Sequence, residues 1–138
     1  MANYVGHARS NYLRVRDEAA FLGWVETLPG VVARREDGDR ERFVLLVEDG
    51  DDGGWPNWRY HEDVDGEEEI DLHAELSEHL AEGEVAVLEE VGAEKLRYLV
   101  GYAVAVNHKG ETLSISIDEI YQKVHEAGWG DDVSTATY

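Results

Sequence analysis

The sequence of 138 residues has no cysteine, two prolines, one methionine and only 12 Lys plus Arg. Without cysteine there is no disulfide, thiolate nucleophile, iron–sulfur cluster or Cys-type zinc site, and nothing that calls for an oxidising compartment. So few bases exclude direct binding to a nucleic-acid backbone or an anionic membrane. No apolar run approaches the roughly 20 residues that span a bilayer, and Met1 to Ser10 lacks the apolar centre of a signal peptide, so a cytoplasmic protein is expected. The G-x-S-x-G elbow, the G-x-x-x-x-G-K-[ST] loop and a strand-to-helix G-x-G-x-x-G are all missing. No catalytic residue and no cofactor are expected.

Acids, in contrast, abound: 31 Asp plus Glu leave a formal charge of −19. Small domains ordinarily carry a net charge of magnitude roughly 2–8, because a larger excess repels itself in the compact state. The 43% hydrophobic fraction, with four Trp and seven Tyr, is too apolar for a disordered acidic chain, and the length suits one domain over residues 1–138. The charge is segregated. Residues 1–35 net +2 and residues 95–138 net −2, whereas Glu48 to Glu94 holds 18 acids against the single base Arg59.

The pattern predicts an α+β domain in the order β-α-β-β-α-β-β-β-α, with a largely antiparallel sheet and about three helices packed on it. Asn11 to Arg16 alternates as a strand; Asp17 caps a helix over 18–28 with Phe21, Trp24, Val25 and Leu28 inward, stopped by Pro29-Gly30. Val31 to Glu36 and Glu41 to Val47 form a hairpin about Asp37-Gly38. An acidic, loop-rich segment over 48–71 follows, in which no periodicity is legible. Asp71 caps a second helix with Leu72, Leu76 and Leu80 inward and Glu75, Glu78 and Glu82 outward. Glu84 to Val91, Leu96 to Val106 and Thr112 to Ile117 read as strands, with a turn at Asn107–Gly110; the charge-poor 96–106 run suits a central strand covered on both faces. Asp118 caps a last helix with Ile120, Tyr121 and Val124 inward, and a loose tail occupies 128–138.

Metal binding has weak spacing. His73 and His79, six apart, do not share a helix face as the H-E-x-x-H pair does. Runs beginning at Asp49 and Asp63 resemble calcium loops, but neither combines Gly at position 6 with Glu at position 12. Trp55 and Trp58 beside the acidic run fit two roles, core anchors or interface hot spots.

The acidic segment itself points to a basic partner. Eighteen carboxylates match the phosphates of roughly nine base pairs, about 30 Å of duplex, so a surface that mimics DNA is within reach of one domain. The candidate site comprises Asp49, Asp51, Asp52, Glu62, Asp63, Asp65, Glu67, Glu68 and Glu69 with a helical ridge of Glu75, Glu78 and Glu82. These residues are chosen by charge placement alone.

Asn11 to Phe21, Glu82 to Leu88 and Gly92 to Tyr102 together resemble small acidic proteins of phages, plasmids and other mobile elements, among them anti-CRISPR inhibitors of type I, and in particular type I-C, systems. That resemblance implies a non-catalytic inhibitor, in a bacterial host cell, that occupies the basic cleft of a Cascade-type complex where target DNA and its PAM enter; a monomer or weak homodimer is expected. An antagonist of restriction or other DNA enzymes, or an acidic calcium-binding or structural module, would be the alternatives.

Overall fold

The computed structural model describes residues 4–48, 54–60, 66–94, 98–130 and 132–136. Along the chain run β1 (Tyr4–Ser10), β2 (Leu13–Arg14), α1 (Glu18–Glu26), β3 (Val31–Arg35), β4 (Arg42–Val47), β5 (Trp58–Tyr60), β6 (Glu67–Glu69), α2 (Leu72–His79), β7 (Val85–Glu94), β8 (Tyr98–Asn107), β9 (Thr112–Ser116) and α3 (Glu119–Glu126). The fold is α+β. Seven of the strands form an antiparallel sheet in which β3 pairs β4, β4 pairs β1 and β2, and β7, β8 and β9 follow on the far side of β1; β5 and β6 make a separate hairpin.

Both predicted N-caps of the first two helices form. Asp17 accepts a hydrogen bond from Ala20 N and Asp71 one from Ala74 N, each satisfying a backbone donor of a first turn. Phe21 and Val25 from α1 and Leu72 and Leu76 from α2 then meet Phe43, Leu45, Ala86, Leu88 and Val106 on one face of the sheet. Burying each such side chain stabilises the fold by about 1.5–3 kcal/mol before chain entropy is counted. Phe21 packs 5.2 Å from Phe43, ring centre to ring centre, tying helix to sheet at the middle of this core.

Of the expected strand over 11–16 only Leu13–Arg14 forms, as β2, with an isolated bridge at Val15, and the longer β1 precedes it from Tyr4. β1 pairs β7 along its whole length, from Tyr4 opposite Glu94 to Ser10 opposite Leu88, and the chain then parts from β7 while β4 remains its neighbour through β2. Side chains cover the change of partner. Asn11 donates to Val85 O and accepts from Val87 N, replacing a peptide group against β7, while the buried Ser10 hydroxyl accepts from Leu45 N on β4. The central position therefore belongs to β1 and β7, not to the 96–106 run.

β8 lies second from the edge and is covered on one face only. The helices sit over Ala86, Leu88 and Val106, whereas the alternate residues Val85 and Val91 of β7 are 45% and 56% exposed. The Asn107–Gly110 turn forms as expected, with Gly110 at φ 86° and the Asn107 carboxamide accepting from Lys109 N and Glu111 N. The last helix departs from expectation. Asp118 makes no side-chain cap, none of α3 is buried, and Ile120 is exposed, because α1 and α2 pack on the other face of the sheet. In the tail, Ala136 N donates to the Tyr121 hydroxyl at 2.7 Å.

Candidate functional site

Among the described residues of the acidic segment, its only base gathers the contacts. In the β5–β6 hairpin, Trp58 faces Glu69, Arg59 faces Glu68 and Tyr60 faces Glu67. Strand alternation turns the middle pair inward and leaves the flanking residues exposed. Arg59 Nε donates to Glu68 at 3.0 Å, Nη2 to Glu75 on α2 at 2.6 Å, and Nη1 to the Thr27 hydroxyl at 3.1 Å. Burial works against its charge, but the hydrogen bonds it donates to Glu75 and Glu68 outweigh that and raise its pKa above the ordinary value. One guanidinium thus clamps the hairpin to both helices.

Glu75 is shared with α1. Its other oxygen accepts the indole N–H of Trp24 at 2.8 Å, and Trp24 stacks on His79 with ring centres 4.9 Å apart. Burial pushes the His79 pKa below 6.5, outweighing the opposite pull of Glu78, Glu75 and Asp17. His73 is likewise lowered by burial against the pull of Asp71. Both imidazoles are held towards their neutral forms, as packing against apolar surroundings requires.

A second anchor ties the segment to the sheet. Glu90, buried on β7, accepts from Trp55 N and from the Tyr102 hydroxyl, each at 2.8 Å, and the Trp55 indole donates to Glu89 O. A Cβ on Gly54 would stand 2.9 Å from a Glu90 oxygen, so any larger residue there would push this carboxylate from its place. The two tryptophans divide their roles: Trp55 packs against the core, while Trp58 is 37% exposed. Trp58 and Tyr60 line an open cleft of about 430 Å³ with Glu26, Thr27, Leu28 and Pro29. An aromatic wall beside carboxylates suits a guanidinium or ammonium group.

The proposed set of carboxylates therefore separates. Glu68 and Glu75 converge on Arg59 and face inward; Glu67, Glu69, Glu78 and Glu82 are exposed. Asp49, Asp51, Asp52, Glu62, Asp63 and Asp65 lie outside the described residues. The ridge expected of Glu75, Glu78 and Glu82 is not a helix face. α2 ends at His79, Leu80 is extended with ψ 138°, and Glu82 falls beyond it, while Glu75 is drawn in by Arg59 and Trp24.

Sequence reasoning passed over Glu90 and the clamp. The signals were present: Arg59 is the lone base among 18 acids, and Glu90 shares the period-2 face of Ala86 and Leu88. Among the described residues no three His, Asp or Glu side chains converge as metal ligands. No helix among the described residues is long and apolar enough to cross a membrane. Compared with known protein families, curated proteins and solved structures, the chain matches none.

Proposed function

We propose that the acidic side of the molecule binds a basic, DNA-binding protein surface and blocks it as a non-catalytic DNA mimic. The observation that carries this reading is the hairpin. Arg59 holds Glu68 from within, so that Glu67, Glu69, Trp58 and Tyr60 stand outward on a braced ribbon rather than on a loose acidic loop. A preordered row of carboxylates loses less entropy on binding than a flexible one, and Arg and Lys side chains that grip phosphates accept carboxylates in the same way. The adjoining aromatic cleft offers one such cation a flat wall.

The resemblance to inhibitors of type I systems makes the DNA- and PAM-entry cleft of a Cascade complex the target of this proposal. The purified protein is titrated into a type I-C surveillance complex holding its fluorescent target duplex, with a restriction enzyme and a generic basic DNA-binding domain in parallel. Loss of DNA binding with the surveillance complex alone is the expected result. Joint replacement Glu67→Lys, Glu69→Lys and Glu78→Lys, which spares the clamp, should weaken inhibition at least about tenfold, and affinity should fall steeply between about 50 and 200 mM salt. Blocking of all three systems would make the protein a general polyanion mimic with restriction enzymes among its targets. Blocking of none would remove the reading.

A further inference from the structure

The far side of the sheet has a different chemistry. Beyond the reach of α1 and α2, every residue of β9 is exposed, with Leu113 at 79% and Ile115 at 64%, and Ile117 and Ile120 follow at 51% and 55%. Pairing of β7, β8 and β9 places Val91, Gly101, Ala103 and Ile115 on the same uncovered face. The small residues of β8 make a floor between taller walls, and with Ile117 and Ile120 they enclose an open groove of about 490 Å³.

We propose that this face is a homodimer interface, in which the β8–β9 face and α3 of one chain meet the same surface of a second copy about a twofold axis. Charge selects the occupant. Two chains of net −19 can approach only where the local field is weak, and residues 95–138 net −2 while Glu48 to Glu94 nets −17. A basic partner is drawn to the other side; a second copy has this side alone. Within the groove the charges are Glu89, Glu119 and Lys123, so that the lysine of each chain can pair with a carboxylate of its mate.

Area and edge chemistry agree. Val91, Leu113, Ile115, Ile117 and Ile120 expose roughly 500 Å² of residue surface, a large share of the ~800 Å² per partner in a standard interface, before backbone and rim are added. Edge strands of monomers are guarded by lysine, proline or a bulge, yet Thr112 to Ser116 reads Thr-Leu-Ser-Ile-Ser with none of these, and among the described residues nothing pairs its outer edge. Apolar groove, weak field and unguarded edge coincide on one surface, which a twofold satisfies by self-complementarity.

Sedimentation equilibrium of the full chain over about 1–100 µM tests this, at about 150 and 500 mM salt. The expected mass is that of two 15.5 kDa chains, with tighter association at the higher salt, where repulsion is screened and apolar contact remains. Ile115→Glu, at a position already open to water, should leave the far-ultraviolet circular dichroism unchanged and raise the dimer dissociation constant at least about thirtyfold. Ile120→Glu on α3 should do the same, while Glu69→Lys on the opposite side should not loosen the dimer. A monomer at every concentration, a dimer indifferent to both isoleucine substitutions, or assembly that grows without limit would each overturn the proposal.

Discussion

The two sides of this molecule use their side chains in opposite ways. On the β5–β6 and α2 side, charge is dense, and among the described residues Arg59, Trp24 and Glu90 fix carboxylates and backbone in place. On the β8–β9 and α3 side, charge is sparse and isoleucine and leucine stand in water. The difference teaches that the net charge of the chain describes neither surface. It is the placement of one arginine among 18 acids, and of two helices over half of a sheet, that separates an electrostatic face from an apolar one.

Both sides rest on one core, and removing part of it should erase the contrast. Leu76→Ala deletes a fully buried side chain between α2 and the sheet and should cost about 2–5 kcal/mol, in a single urea transition that both hairpin and sheet probes follow. Separate transitions for Trp58 fluorescence and far-ultraviolet signal would show that the acidic hairpin is a unit of its own.

A smaller effect should follow from cutting the clamp alone. Arg59→Met leaves Glu68 and Glu75 facing each other without their cation; because both carboxylates are partly solvated, the cost should be about 1–2 kcal/mol, below that of a fully buried pair. Hydrogen exchange should quicken in residues 58–60 and 67–69 and stay unchanged in β8 and β9. Equal loss of protection across β9 would break the distinction between the two sides.

The smallest effect concerns pH. His79 has a folded pKa below its ordinary 6.5, so the unfolded chain binds the proton more readily than the native one. The stability this neutral imidazole contributes is complete above pH 6.5 and is lost as pH falls from there through the depressed folded value. Urea midpoints should therefore decline on acidification from pH 7, and His79→Gln should flatten that decline. A midpoint that rises over the same interval in the parent chain would contradict the assignment.

Much of the framework was legible from short-range pattern. Asp17 and Asp71 caps, the leucine stripe of α2, the β3–β4 hairpin and the Asn107–Gly110 turn depend on residues within a few positions of one another, and each formed. β1 was missed because Tyr4 to Ser10 is interrupted by Gly6 and acquires its structure from β7, more than 70 residues away. β6 was missed for a related reason. Three consecutive glutamates are poor strand formers, and they pair only because Arg59 and Trp58 stand opposite. Glu75 looked like part of an exposed ridge since helical phase says nothing of an arginine and an indole arriving from other elements.

The sequence by itself determined the α+β class, the Asp17 and Asp71 caps and the concentration of negative charge in one third of the chain, because propensity, capping and composition act locally or by simple count. The tertiary structure alone decided which carboxylates are consumed internally and which face outward, since Coulomb and hydrogen-bond energies depend on distance through space. It also decided that one face of β8 and β9 stays bare. The coverage of a sheet is settled by where the helices come to rest, and here α1 and α2 both rest on the other face.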